Sequence, residues 1–212
     1  MASLLNMSSS RVMGGKGLPY DAEIEYLESS GTQWIDTGII PDSRTSFFLQ
    51  VMLVNTANTI YFFETRPLSS SLKSSLGVLA FPSDFQYRYD SNLSSDSYLN
   101  FFPPTPIKDV LYTIETNRNE IYLNGEKKLT CRVVNFNCNL PLCLFAQRTD
   151  NGITAMSKFK LYAFKLFDAD NILLIDLIPV RVGNVGYMYD KVSGTLFGNA
   201  GTGNFILGAD KQ

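Results

Sequence analysis

The segment that decides the fold lies in the C-terminal third and reads Ser157-Lys-Phe-Lys-Leu-Tyr-Ala-Phe-Lys-Leu-Phe-Asp168. Its first half alternates polar with apolar side chains, with Lys158 and Lys160 set against Phe159 and Leu161. A period of two residues is typical of a strand with one buried face, whereas an amphipathic helix repeats every three or four positions. We therefore predict a half-buried β-strand in this segment.

The rest of the chain continues this pattern. Asp176–Arg181 reads as a second strand with a proline stop, and Gly186–Gly194 reads as a glycine-bounded loop. Strand-type segments separated by turn residues recur from Tyr20 onward, which is typical of an antiparallel sandwich. The sequence thus predicts an all-β fold, an antiparallel β-sandwich of residues 21–212 preceded by an extended N-terminal arm of residues 1–20.

Composition limits the classes of partner. The chain has 212 residues, of which 45% are hydrophobic, so it can bury one substantial core. Eighteen basic and twenty acidic residues give a net charge of −2, which creates no field for gathering nucleic-acid phosphates. No apolar run is long enough for a spanning helix or a standard secretion signal. We therefore expect neither nucleic-acid binding nor membrane insertion.

The absence of histidine argues against catalysis, because histidine is the usual general base near neutral pH and a frequent zinc ligand. We predict no enzyme activity and no cofactor. The three cysteines, Cys131, Cys138 and Cys143, fit no C-x-x-C pattern. Reduced thiols are the favoured interpretation, and a Cys131–Cys138 bridge across a hairpin is the alternative.

The clearest hairpin is Ile121–Leu129, in which Asn124-Gly125 supplies the two positive φ angles of a type I′ turn. Its upstream partner strand returns through Asn117-Arg-Asn119. In contrast, Asp90–Pro106 is rich in serine and proline and predicts a long loop at the rim of the sandwich.

Residues 1–20 form the predicted arm, because they are rich in Ser, Gly and Met and show no periodicity. We expect this arm to anchor the protein to a partner. Its apolar and basic anchor residues are Leu4, Leu5, Met7, Arg11, Val12, Met13 and Lys16.

Aromatic residues provide the other candidate contacts. Trp34, the only tryptophan, is interpreted as a core residue because it alternates within a strand, with sugar stacking as the alternative. The tyrosines and phenylalanines belong mostly to the core and sheet faces. A second interpretation makes four of them an exposed platform for a glycan or partner: Tyr87, Tyr89, Phe101 and Phe102.

Acidic residues suggest two kinds of site that we weigh and do not assign. Glu23 and Glu25 share a strand face, as a glycosidase pair would, but the aspartate expected between them is missing and edge-strand charges are favoured. Asp36, Asp168 and Asp190 are scattered, whereas calcium needs six to eight oxygen ligands. No metal site is predicted.

Four motifs together resemble a known family: Tyr26–Gly38, Ile121–Glu126, Phe159–Asp168 and Gly186–Gly194. They are similar to the laminin-G-like, concanavalin A-like jelly-roll domains found in structural proteins of gut-bacterial phages and prophages. The resemblance covers about residues 21–210. It implies two curved antiparallel sheets, a concave face that binds glycans in some relatives, and a last strand that closes beside the first.

The resemblance implies a function as well as a fold. We expect a non-enzymatic virion structural protein, a head decoration or head-fibre component, made in the host bacterial cytoplasm and carried on the particle exterior. Its expected partners are capsid or other virion proteins, further copies of itself in a dimer or trimer, and a host-surface glycan. The alternative is a lectin-like carbohydrate-binding module of a bacterial surface or phage tail protein.

Overall fold

A computed structural model describes residues 17–67, 74–90 and 100–212. Within these ranges the chain is all-β, with no helical residue, and its strands form two sheets that pack face to face. The prediction of a β-sandwich is therefore confirmed. Residues 1–16, which hold all seven predicted anchor residues of the arm, lie outside the described residues.

In chain order the strands are β1 (Ala22–Glu23), β2 (Leu27–Glu28), β3 (Ile35–Asp36), β4 (Ser46–Leu53), β5 (Ile60–Thr65), β6 (Ser75–Ala80), β7 (Phe85–Asp90), β8 (Phe101–Phe102), β9 (Leu111–Asn117), β10 (Glu120–Leu123), β11 (Glu126–Thr130), β12 (Cys143–Leu144), β13 (Gln147–Thr149), β14 (Gly152–Thr154), β15 (Phe159–Phe167), β16 (Leu173–Val182), β17 (Val185–Asp190), β18 (Leu196–Phe197) and β19 (Ile206–Leu207).

The large sheet has eleven strands, eight of which follow the order β11-β10-β9-β4-β15-β16-β17-β18. The segment that decided the sequence prediction is β15, which pairs with β4 and β16 at the centre of this sheet. The predicted alternation holds there, because Phe159 and Leu161 are buried and Lys160 is partly exposed. The last strand, β19, pairs with the second strand, β2, at the N-terminal end of β15.

The small sheet has eight strands, six of which follow the order β14-β13-β5-β6-β7-β8. Its pairings are antiparallel except for the one between β13 and β5. A bulge in β5 between Tyr61 and Phe63 places Phe62 and Phe63 both in the buried core. The side chains of both phenylalanines therefore help to fill the space between the sheets.

The core between the sheets is built largely from aromatic rings. Phe47 and Phe63, from opposite sheets, meet edge to face with ring centroids 4.9 Å apart. Phe145 stacks on Phe159 at 4.4 Å. Such pairs add about 0.5–1.5 kcal/mol each beyond the burial of their area. Two strongly hydrophobic faces therefore hold the sandwich together without a disulfide among the described residues.

A row of polar residues crosses the small sheet. Gln147, Glu64, Gly77 and Arg88 are successive cross-strand partners on β13, β5, β6 and β7. Glu64 is fully buried; its Oε2 accepts a hydrogen bond from Gln147 Nε2 at 2.6 Å, and its Oε1 lies 3.5 Å from Arg88 Nε. Gly77 makes this possible, because a Cβ there would lie 2.8 Å from Glu64.

The predicted type I′ hairpin is confirmed. Asn124 and Gly125 have φ angles of 52° and 78°, and they connect β10 to β11. The side-chain oxygen of Asn124 also accepts a hydrogen bond from Thr113 N on β9 at 2.9 Å, which ties the turn to the next strand. This edge of the sheet carries Lys127 and Lys128, charges that discourage pairing with another strand.

The glycine-rich C-terminal segment contacts the motif Tyr26–Gly38, although the two are far apart in sequence. The loop after β18 packs along the segment before β3, where Ala200 N donates to Trp34 O and Thr202 N donates to Thr32 O. Gly201 lies between these bonds, and a Cβ there would be only 2.1 Å from Thr32 O. The glycine-rich ending is thus partly a turn and partly a close backbone contact.

Candidate ligand site at one end of the sandwich

A cleft lies at the end of the sandwich where β4 begins and β9 and β15 end. We call it the rim cleft; its volume is about 610 Å³. Three separate parts of the chain form it, namely Ser46, the turn Thr116–Glu120, and the turn containing Asp168, Ala169 and Asn171. They meet because β4 pairs with both β9 and β15.

Hydrogen bonds within the protein hold the walls of the rim cleft. Arg118 N donates to Ser46 Oγ at 3.1 Å, and its guanidinium Nη2 donates to Ala169 O at 3.0 Å. From below, the buried Tyr87 donates its hydroxyl to Arg118 O at 2.8 Å. Arg118 has a φ of 56°, so one residue in a left-handed conformation links all three parts of the cleft.

The cleft also offers polar groups that the protein does not use. Within the part of the chain that the structure describes, the side-chain amides of Asn117 and Asn171 have no hydrogen-bond partner. Asp168 Oδ1 accepts from two backbone N–H groups, of Asp170 at 2.8 Å and Ile172 at 2.9 Å, while its Oδ2 has no such bond there. Amides donate and accept, and carboxylates accept, so these groups suit the hydroxyl groups of a sugar.

A second, smaller hollow of about 400 Å³ adjoins the rim cleft on the outer face of the large sheet. Ser46, Thr116 and Asn171 line both cavities. The new lining residues include two partly exposed aromatic rings, Phe48 and Phe167, which we call the aromatic shelf. Apolar surface next to convergent polar groups is the usual composition of a small-molecule site.

One carboxylate at the edge of the rim cleft is held ionised by its neighbours. Glu120 accepts hydrogen bonds from Tyr122 OH at 2.7 Å and from Lys127 Nζ at 3.1 Å. The Tyr122 bond, followed by the Lys127 bond, lowers the pKa of Glu120. The group therefore accepts hydrogen bonds near neutral pH and is no proton donor.

The rim cleft and the start of the described chain lie at opposite ends of the sandwich. Asp168 precedes β16, whereas Gly183 follows it, and Gly183 N donates to Asp21 Oδ2 at 2.7 Å. Asp21 N in turn donates to Arg181 O. A strand of ten residues separates the two ends by about 30 Å. We call the end at Gly183 the N-terminal pole.

The predicted exposed aromatic platform is wrong. Tyr87, Tyr89 and Phe102 are buried, and only Phe101 is partly exposed. The reason is that Tyr87 and Tyr89 point from β7 into the space between the sheets, where Tyr87 stacks on Tyr89 with ring centroids 5.6 Å apart. Of these residues, Tyr87 supports the rim cleft from below through its hydrogen bond to Arg118 O.

Trp34 is not a fully buried core residue as predicted. It is partly buried and packs against the core, while its neighbour Ile35 is fully buried. The Arg148 guanidinium carbon lies 5.3 Å from the centre of the Trp34 ring, and Arg148 also forms an ion pair with Asp36. The tryptophan thus packs in a cation–π contact.

The two glutamates weighed as a glycosidase pair do not line the rim cleft. Glu23 and Glu25 flank the buried Ile24, and Glu23 accepts a hydrogen bond from Tyr20 OH at 3.3 Å. Their position on β1 and directly after it, beside β16 and the C-terminal residues, fits surface charges at the N-terminal pole.

The three aspartates considered for calcium contact protein groups instead. Asp36 pairs with Arg148, Asp168 accepts two backbone N–H groups, and Asp190 accepts the N–H groups of Asp176, Val192 and Ser193. Among the residues of the three described ranges, no group of three His, Cys, Asp or Glu side chains could hold a metal ion.

All three cysteines are free and buried, so the alternative of a Cys131–Cys138 bridge is not formed. Burial raises the pKa of each thiol to about 12. A thiol with such a pKa is protonated at neutral pH and is a weak nucleophile. The prediction of reduced thiols is therefore confirmed for this structure.

Comparisons with known proteins leave the family unassigned. No family model matches the chain, and neither a curated protein nor a solved structure gives a significant match. The resemblance to laminin-G-like domains therefore remains a prediction based on the motifs. The described residues also contain no helix that could cross a membrane.

The sequence pattern does not predict the rim cleft. Asn117-Arg-Asn119 predicts only a turn, and no motif marks Asn171 or Phe48. A local signal exists, since asparagine tolerates the left-handed conformation that Asn171 adopts with a φ of 61°. Nothing in one sequence, however, shows that these turns lie side by side.

Proposed function

We propose that this protein is a non-enzymatic virion structural protein, of the head decoration or head-fibre type, that is attached through residues 1–20 and presents the rim cleft outward. The observation that supports the proposal is that the start of the described chain, at Asp21, and the rim cleft lie about 30 Å apart, at opposite ends of β16. A module with this geometry can be anchored at one end while its other end stays accessible.

The N-terminal pole carries exposed apolar residues, which could contact a partner protein. Leu18, the first large apolar residue described, is 64% exposed, and Val182 and Val185 flank the turn beside Asp21. The proposed anchor residues of the arm, Leu4, Leu5, Met7, Val12 and Met13, are also apolar. Ordering an arm costs about 1–2 kcal/mol per residue, so its contacts with the capsid must be extensive or repeated.

Co-sedimentation with purified virions tests the attachment. We expect the intact protein to sediment with particles and a variant lacking residues 1–16 to remain in solution, because the deletion removes the anchors but none of the described contacts. A second variant, Leu5→Asp with Val12→Asp, should also fail to bind. Val192→Asp, which changes an exposed apolar residue outside the arm, is the matched control and should bind normally. Particle binding by the deletion variant would refute attachment through the arm.

Carbohydrate binding is the second candidate function, and the rim cleft with its aromatic shelf favours it. Free amides beside a carboxylate suit vicinal hydroxyls, and an aromatic ring suits the apolar face of a pyranose. On a glycan array, Asn117→Ala and Phe48→Ala should each lose any signal that the intact protein gives. Asn139→Ala, an exposed asparagine outside the cleft, should keep it. Binding to glycans without binding to particles would favour a lectin-like module over a virion component.

A further inference from the structure

The outer face of the large sheet carries a partly exposed patch near the N-terminal pole, which we call the tyrosine face. Its core is a row of four cross-strand partners on β4, β15, β2 and β19, in the order Met52, Lys160, Glu28 and Ile206. Neighbouring strands are about 4.8 Å apart, so the row spans about 14 Å. Ile206 is 50% exposed.

Two tyrosines lie beside this row. Tyr26 precedes Glu28, and Tyr162 follows Lys160, with ring centroids 5.4 Å apart. Lys160 Nζ lies 4.4 Å from the centre of the Tyr26 ring, and the Tyr162 hydroxyl lies 3.7 Å from the Met52 sulfur. Tyrosine and methionine are enriched in protein interfaces relative to other surface.

The order of the row is self-complementary. Consider a twofold axis that runs parallel to the strands, midway between β15 and β2, with the two large sheets face to face. Rotation about this axis brings Lys160 of one copy opposite Glu28 of the other, and Met52 opposite Ile206. It also brings Tyr26 opposite Tyr162. Every pair then joins opposite charges or apolar and aromatic groups, as an isologous interface requires.

We propose that two copies of this chain form a homodimer through the tyrosine face. The large sheet offers room for such an interface around the tyrosine face, because its eight strands and its central strand of nine residues extend about 30 Å in each direction, and a stable interface needs about 800 Å² per partner. Sheets packed in this way keep their strands nearly aligned.

The dimer would suit the proposed function, on which this consequence rests. A twofold axis parallel to the strands leaves both N-terminal poles at one end and both rim clefts at the other. Two arms could then bind one capsid surface while two clefts faced outward, which multiplies weak contacts on both sides.

Charge reversal at the centre of the face provides the test. Sedimentation velocity of the intact protein should give twice the 23.7 kDa mass of the chain. Glu28→Lys places lysine opposite lysine across the axis, and Lys160→Glu places glutamate opposite glutamate, so each variant alone should be monomeric. An equimolar mixture of the two variants restores both charge pairs and should contain a heterodimer.

The mixture separates an effect between chains from an effect within one chain, because only a contact between copies can be restored by mixing. Glu126→Lys, which makes the same charge change at a site 73% exposed on the hairpin, should remain dimeric. A monomeric intact protein, a trimer, or a mixture that stays monomeric would overturn the proposal. Mass is measured without particles or glycans, so failure of the dimer and failure of the proposed attachment are distinguishable.

Discussion

Gly201 lies where the C-terminal part of the chain packs against the N-terminal part, and this contact leaves no room for a side chain. A Cβ at this position would lie 2.1 Å from Thr32 O and 2.9 Å from Trp34 Cδ1. The backbone carbonyl cannot move without breaking the hydrogen bonds on either side of it. We expect Gly201→Ala to lower the free energy of unfolding by about 1–3 kcal/mol, the usual cost of overpacking. Denaturant unfolding measures the change.

The matched control for this substitution is Gly17→Ala. No heavy atom lies within 4 Å of the position that a Cβ would occupy at Gly17, so its stability should be that of the unmodified protein. Equal stability of the two alanine variants would show that the contact between Gly201 and Thr32 is looser than the structure indicates.

Glu64 predicts a pH dependence at the residue scale. Burial raises the pKa of Glu64 above its usual value near 4.5, although Arg88 and Arg66 act in the opposite direction. The folded protein therefore binds this proton more tightly than the unfolded chain. Consequently the group contributes stability below pH 4.5 that is lost as the pH rises through the raised pKa, by up to about 1.4 kcal/mol per pH unit.

Glu64→Gln removes this titration and provides the reference. Unfolding free energies of both proteins, measured from pH 4 upward, should show the unmodified protein losing stability relative to the variant. Glu126→Gln, at an exposed site, should follow the unmodified protein at every pH. A relative gain in stability of the unmodified protein with rising pH would mean that the two arginines outweigh burial.

Single residues also show what the sequence could reveal. In Phe85-Gln-Tyr-Arg-Tyr89 the aromatic residues alternate with polar ones, and this period of two places all three rings on the buried face of β7. The pattern therefore favours the core interpretation of Tyr87 and Tyr89 over the exposed platform. For Trp34 and Ile35, the period of two residues places the two side chains on opposite faces of the strand. It does not indicate which of the two faces is buried.

At the scale of elements, the β10–β11 hairpin depends on its turn residue. Gly125 has a φ of 78°, and no heavy atom lies within 4 Å of the position that a Cβ would occupy. A side chain there would therefore cause no clash with neighbouring residues, and its cost would be the strain of a left-handed backbone conformation. We expect Gly125→Ala to destabilise the protein by about 1–2 kcal/mol, the cost of a left-handed L-residue. Glu126→Ala, at the adjacent exposed strand position, should cost less in the same unfolding measurement, and an equal loss in both would contradict the turn argument.

Strands with clear alternation or a clear turn could be predicted from the sequence, as for β15 and for the β10–β11 hairpin. The segment Leu142–Gln147 shows why some could not. It has strand composition, but Phe145 adopts a φ of 69°, so β12 ends at Leu144 and a new strand begins at Gln147 with a parallel partner. Phenylalanine gives no sequence signal for this conformation, because tertiary packing imposes it.

At the scale of the whole molecule, the rim cleft could not be predicted because its walls come from the start of β4 and from two turns, separated by tens of residues. Only the pairing of β4 with β9 and β15 brings them together. The same pairing fixes the direction of each strand, and thus the separation of the cleft from the N-terminal pole. Strand order, which alternation does not reveal, is therefore what gives this molecule two distinct ends.

Two distinct ends and a twofold axis along the strands lead to a prediction about binding strength. If both rim clefts of a dimer face the same way, a surface densely coated with glycan engages both, and the apparent affinity exceeds that of one cleft by on the order of 100-fold. Glu28→Lys should lose this gain on a coated surface while keeping the affinity for a soluble monovalent glycan, since Glu28 lies outside the cleft. Surface and solution affinities of the intact protein, this variant and Glu126→Lys measure both effects. A Glu28→Lys variant that bound the coated surface as tightly as the intact protein would show that the two clefts do not act together.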